Sequence, residues 1–281
     1  MSAPRTALRP WIIVAVALPL LALVAWSTGL LEAPPPAPIA DRNVAALERA
    51  PAPPLTPRRP GEAPLVVFIG DSRYQKAIRA TSTPIPTLRP RRLNAGGVTF
   101  EVLTYFTKAG ATAFDIERLM PKIVGWSPDV VVMQPELFVE ETSMRGLAPA
   151  AVSERRRLEN WKVRLDLWSD KVELPKAGRA LPAAKALAER LRQAGIRLIV
   201  AQIPPSEAVL KAVPEGYHAT MRALVCTVLA SCERDYLTFA ASYPDGWFSD
   251  PLHLSAAGHK VFLPLLMQAV GHAIGLGPVQ P

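Results

Sequence analysis

Cysteine is nearly absent from this chain: Cys226 and Cys232 are the only two in 281 residues. Neither their number nor their spacing makes a zinc site. In an oxidising compartment they can close a small loop. Two free buried thiols suit the sequence nearly as well, so both states stay open. No internal repeat occurs. No glycine-rich loop follows the first predicted strand, which weakens a phosphate-binding module. Acidic residues are outnumbered, 24 against 32 basic, for a net charge of +8. No nucleic-acid motif accompanies that charge. The basic clusters at Arg89-Arg91-Arg92 and Arg155-Arg156-Arg157 suit a solvated face, or attraction to anionic lipid or an acidic polysaccharide.

Charge is also missing from Trp11 to Leu31. That run is long enough to cross a bilayer core as a helix, with Trp11 and Trp26 toward its ends. Pro19 would bend it without forbidding it. Arg5 and Arg9 precede the run, while Glu32 and Asp41 follow, so the expected orientation leaves the rest of the chain outside the cytoplasm. A removed secretory signal is the competing expectation, but it needs a shorter apolar core and a clear small-residue cleavage site. The expected organisation is therefore a cytoplasmic N-terminus and membrane anchor over 1–31, a linker over 32–63 and a folded domain over 64–277. The linker carries nine prolines, from Pro34 to Pro60, and no periodic apolar face. Such a segment acts as an extended spacer. The domain is about the size that supports one full hydrophobic core.

Within the domain, apolar runs alternate between strand and helix periods. Leu65–Ile69, Thr99–Tyr105, Asp129–Met133 and Ile196–Ile203 predict strands. Helices are expected from Thr112 to near Gly125, over Leu181–Ala194 with Gly195 as a left-handed cap, and over about Gly216–Leu229. A last helix starts at Ser255 and is expected to kink or break at Pro264. Near-continuous apolar strands separated by helices imply an α/β domain with a parallel sheet covered on both faces. Ligands then bind beyond the carboxyl ends of the strands. The stretch Glu140–Lys176, with Trp161 and Trp168, fits no strand and suits an inserted segment bordering a cleft or a surface excursion.

Two fragments carry chemistry. Gly70-Asp71-Ser72 ends the first strand, which exposes the Ser72 hydroxyl above the sheet and turns its N–H outward. Asp250-Pro251-Leu252-His253 places a carboxylate three residues before an imidazole. Ser72 would be the nucleophile, His253 its general base and Asp250 the group that fixes the imidazole tautomer. Alone, each fragment also fits a plain structural role: a Gly-Asp-Ser turn, or an aspartate capping the next helix. His218, His259 and His272 lie in predicted helices without a matching acid and are expected to pack or face solvent.

Together the two fragments resemble the SGNH/GDSL hydrolase superfamily. That resemblance implies a three-layer α/β/α sandwich with a flavodoxin-like parallel sheet, here preceded by one transmembrane helix. It implies an oxyanion hole built from the Ser72 N–H, a glycine after the second strand and an asparagine after the third. Gly110 occupies the expected place of the glycine. The asparagine is absent from Val131-Val132-Met133-Gln134-Pro135-Glu136, and Gln134, an amide on a longer arm, is its substitute. Arg73 stands where the family motif has leucine. The resemblance extends to membrane-anchored proteins that move or remove acetyl groups on exported polysaccharides, such as alginate O-acetylation proteins. The expected function is an esterase or O-acyltransferase on the periplasmic side of the inner membrane, acting on an acylated glycan and needing no cofactor or metal. It would work beside envelope assembly partners and not on nucleic acid. The alternative is a non-catalytic carbohydrate-binding or scaffold component of such an assembly.

Overall fold

The computed structural model of the chain describes residues 62–79, 91–95, 97–106, 111–140, 169 and 172–276. The expected anchor over 11–31, nearly all of the linker, Gly110, Arg89, the Arg155–Arg157 cluster, Trp161 and Trp168 lie outside them. Among the described residues no helix is long and apolar enough to cross a membrane.

The first strand, β1 (Leu65–Gly70), is buried at all six positions. It pairs in parallel on one side with β3 (Val98–Phe106) and on the other with β4 (Val130–Met133). β5 (Arg197–Ala201) and β6 (Tyr236–Leu237) continue the parallel sheet beyond β4. An antiparallel strand, β2 (Arg91–Ala95), borders β3, giving the order β2-β3-β1-β4-β5-β6. Counting only the parallel strands in chain order gives 2-1-3-4-5, a doubly wound order whose switch point lies between β1 and β4.

Strand side chains alternate between faces, so each strand contributes to two separate cores. Val67, Ile69, Val131, Met133 and Val200 point to one side. There they meet α2 (Ala113–Ile116), α3 (Met120–Gly125), α4 (Ala180–Gln193) and α6 (Tyr217–Cys226) through Ile116, Ile123, Leu187 and Met221. Val66, Phe68, Val130, Val132 and Ile199 point to the other side. They pack against α1 (Ser72–Arg79) and α8 (Ala256–Ala273) through Tyr74, Phe262, Leu266 and Val270. Burying each such side chain contributes about 1.5–3 kcal/mol. Both faces of every central strand are therefore covered, as their unbroken apolar runs require.

Several local expectations hold in detail. Gly195 adopts φ +72° after α4. The Gly195 N–H donates to Arg192 and the Ile196 N–H to Leu191, which closes a Schellman cap. Ser255 caps α8, its hydroxyl accepting from the Gly258 N–H, and the shorter helices α5 (Glu207–Ala212) and α7 (Cys232–Asp235) precede it. The Cys226–Cys232 pair, left open by the sequence, is a disulfide.

Other expectations are corrected. The single helix foreseen from Thr112 to Gly125 is α2, a 3₁₀ turn over Glu117–Leu119, and α3. Pro121 in the first turn of α3 lacks the N–H that would continue the ladder. Pro264 does not break the last helix, for α8 runs through it. Pro264 and Lys260 are both exposed, so the carbonyl left without a donor lies on the solvent side. β2 was not foreseen, because Arg91, Arg92 and Asn94 are exposed on this edge strand and leave no apolar alternation. β6 has only two residues, and a small second sheet pairs the three residues of β7 (Phe248–Asp250) with the two of β8 (His253–Leu254).

Candidate active site

Ser72 is the first residue of α1, immediately past the carboxyl end of β1 and at the switch point. The turn before it is tight. A Cβ on Gly70 would stand 2.5 Å from the Tyr74 Cβ and 2.8 Å from Gln134 Oε1, so only glycine lets the chain leave β1 here. Asp71 caps α1: its carboxylate accepts from the Arg73 N–H at 2.8 Å. Ser72 therefore sits at the positive end of the helix, where orphan N–H groups face outward.

His253 and Asp250 come from the opposite end of the domain, on the β7–β8 hairpin. One carboxylate oxygen of Asp250 organises the whole turn. It accepts from the backbone N–H groups of Leu252 and His253, each at 3.1 Å, and from His253 Nδ1–H at 2.6 Å. With the ring proton on Nδ1, the other nitrogen is an acceptor. Nε2 lies 2.8 Å from Ser72 Oγ, positioned to accept the hydroxyl proton. Folding thus brings the three sequence-predicted residues into one hydrogen-bonded row. The Ser249 hydroxyl braces the hairpin by donating to the His253 carbonyl at 3.2 Å.

Gln134 follows β4 on the far side of the switch point and is 1% exposed. Its Oε1 accepts from the Asp71 N–H at 3.1 Å. Its Nε2 is buried without a hydrogen-bond partner. An orphan donor of this kind costs about 1–3 kcal/mol unless something binds it. Gln134 is therefore linked to the turn that carries Ser72, with an amide donor in reserve.

The contacts that stabilise this turn from behind were not foreseen from the sequence. Arg73, 9% exposed, engages both oxygens of Asp71 through Nε and one through Nη2. Its Nη1 reaches Glu136 Oε1 at 3.0 Å. Burial raises the Asp71 carboxyl, but the Arg73 charge and hydrogen bonds outweigh it and hold the group below its ordinary value. Tyr74 is also buried, and its hydroxyl donates to the Ala201 carbonyl at 2.5 Å. Burial, reinforced by the Glu136 charge, keeps that phenol protonated by raising it well above the ordinary tyrosine range. The available signal was Arg73 itself: an arginine directly after a buried motif must find carboxylates nearby.

The remaining histidines lie elsewhere. His259 Nδ1 bonds the Ala77 carbonyl at 2.7 Å and links α8 to α1. His218 bonds Gln202. Among the described residues no group of three histidine, cysteine, aspartate or glutamate side chains is placed to hold a metal ion.

No protein-family profile and no curated protein matches this chain. Solved structures do align with it. A protein from Bacteroides fragilis NCTC 9343 described as an acylhydrolase shares 14% identity over 84% of this chain and 96% of its own, at a TM-score of 0.43. TesA shares 12% over 74% of this chain and 99% of its own, at 0.43. A mutant of Axe2, an acetyl-xylooligosaccharide esterase from Geobacillus, shares 14% over 79% of this chain and 98% of its own, also at 0.43. Likeness at this level leaves the chemistry to be read from the site itself.

Proposed function

We propose that this chain is an SGNH-type serine esterase or O-acyltransferase acting through Ser72, His253 and Asp250. One observation carries the proposal: the hydrogen-bonded row from Asp250 Oδ1 through both ring nitrogens of His253 to Ser72 Oγ. An isolated serine hydroxyl is a weak nucleophile, and a base at 2.8 Å corrects that.

The ester carbonyl docks over Ser72, with its oxygen at the amino end of α1. Ser72 Oγ attacks the carbonyl carbon while His253 Nε2 takes the hydroxyl proton, and the carbonyl electrons move onto oxygen. The Ser72 N–H stabilises that oxyanion, with Gly110 and the Gln134 Nε2 donor as further contributors. Asp250 stabilises the imidazolium and fixes the tautomer. Collapse of the intermediate breaks the ester bond, and His253 returns the proton to the departing alkoxide. The acyl-serine is then cleared by water in a hydrolase or by a second alcohol in a transferase, with the same proton transfers in reverse order.

The setting belongs to the same proposal. The uncharged run Trp11–Leu31, the proline-rich 32–63 segment and the net positive charge suit an inner-membrane anchor that holds the domain on the periplasmic side, near an acylated envelope glycan and its assembly partners. The Cys226–Cys232 disulfide suits an oxidising compartment. Hydrolysis of 4-nitrophenyl acetate, together with labelling by a serine-reactive fluorophosphonate, tests the chemistry. Both should occur in the native chain and vanish in Ser72→Ala. Full activity in that variant would end the proposal.

One observation favours a second reading, a non-catalytic glycan-binding or scaffold component: the Gln134 donor is buried. That reading expects no fluorophosphonate labelling at Ser72 together with saturable glycan binding.

A further inference from the structure

Beyond the carboxyl ends of β5 and β6 a cavity of about 720 Å³ opens on the same rim of the sheet as Ser72. Strand spacing places these strand ends roughly 10–15 Å from the end of β1. One wall is a single face of α6. Tyr217, Met221 and Val225 point into the core, whereas His218, Ala219, Arg222, Ala223 and Cys226 line the cavity. The alanines at 219 and 223 leave the space that larger side chains would fill. Phe239, Leu210 and the Cys226–Cys232 disulfide supply further apolar wall.

Gln202 and His218, two of the polar residues that line the cavity, form a hydrogen-bonded row with Tyr236. Tyr236 donates its hydroxyl to Gln202 Oε1 at 3.0 Å, and Gln202 Nε2 lies 2.9 Å from His218 Nδ1. Gln202 is thereby consumed at both ends, and its amide N–H makes His218 Nδ1 an acceptor. The ring proton must then sit on Nε2, which is buried and has no hydrogen-bond partner. Burial pulls the imidazole below its ordinary value, so the ring stays neutral at pH 7 and keeps that single donor. Arg222, whose guanidinium lies 5.7 Å from the centre of the Tyr236 ring, adds fixed positive charge. Among the described residues no acidic side chain lines the cavity. An apolar cavity lined by a guanidinium complements an acceptor-only group on an apolar body.

We propose that this cavity is a binding subsite for an organic carboxylate, with the ligand oxygens on the Arg222 guanidinium and its apolar part against Phe239 and the disulfide. As the subsite for the non-reacting portion of an ester cleaved at Ser72, it rests on the function proposed above. As a carboxylate site it does not.

The test uses 4-phenylbutyrate and its uncharged amide, 4-phenylbutyramide, titrated into the full chain by ligand-observed NMR. The carboxylate should bind about tenfold more tightly than the amide. Ala223→Trp, which fills the chamber from a helix face outside the core, should abolish binding. Arg222→Gln should bring the carboxylate to the level of the amide. An unchanged urea midpoint excludes misfolding. Equal binding of acid and amide, or undiminished binding in Ala223→Trp, overturns the subsite. Turnover of 4-nitrophenyl acetate is followed in the same samples. Absent turnover with intact acid–amide discrimination removes the esterase and leaves the carboxylate site. Turnover without discrimination removes the site and leaves the esterase.

Discussion

Arg73 joins the two loops that flank the switch point of the sheet: from the turn after β1, its Nη1 meets Glu136 Oε1, after β4, at 3.0 Å. The same guanidinium holds Asp71. Because Asp71 also donates its N–H to Gln134, the Ser72 turn and the Gln134 turn are linked twice. Arg73→Met keeps much of the side-chain volume but removes the guanidinium from both the Asp71 and the Glu136 carboxylates. We expect a loss of about 3–5 kcal/mol in urea unfolding. A loss below about 1 kcal/mol would show that the link is not structural.

Asp71 sets an acid limit on stability. Its folded-state value is depressed below that of the unfolded chain. A depressed carboxylate contributes stability that is fully present above its unfolded value, near pH 4. That contribution is lost as pH falls through the lower, folded value. Asp71→Asn should lower stability at pH 7 and flatten the decline below about pH 4, read from urea midpoints at several pH values. An unchanged acid limb would assign the decline to other groups.

Asp250→Asn keeps the size of the side chain but removes the carboxylate that holds the proton on His253 Nδ1. On the proposed mechanism kcat for an acetyl ester should fall on the order of 10⁴-fold with little change in KM. A fall below about tenfold would mean that the hairpin N–H contacts, and not the charge, are what matter.

Gln134→Leu removes both the acceptor for the Asp71 N–H and the spare Nε2 donor. If Nε2 serves the oxyanion, kcat should drop about 10²–10³-fold. Gln134→Glu keeps the acceptor and loses the amide donor but buries a carboxyl group beside Asp71, so it should be as slow as the leucine variant and also unfold earlier than wild type. Wild-type turnover in Gln134→Glu would remove the residue from the oxyanion hole.

Gly70→Ala should destabilise by about 1–3 kcal/mol, because the new methyl meets the Tyr74 Cβ at 2.5 Å and neither backbone can yield easily. Thermal unfolding checks this directly.

Much of the architecture was legible in the sequence, because buried parallel strands announce themselves. Leu65–Ile69 and the valine run 130–132 have no place but the inside. The row of Ser72, His253 and Asp250 was legible for another reason: a sharp strand exit and an Asp-x-x-His turn are local features whose geometry follows from spacing. The Arg73–Glu136 link was not, since it joins residues 63 positions apart that only strand order makes neighbours. β2 escaped because its exposed arginines carry no apolar period, and the cavity behind Gln202 escaped because two alanines on a helix look like ordinary helix formers.

The order in which these parts leave the ribosome has a consequence of its own. Ser72 belongs to the first strand-and-helix unit of the domain, whereas His253 is held by a hairpin that leads directly into α8, and α8 packs against α1. A growing polypeptide therefore carries its hydroxyl long before it owns a base. The contact between Ser72 and His253 forms only after the β7–β8 hairpin has been translated and docked.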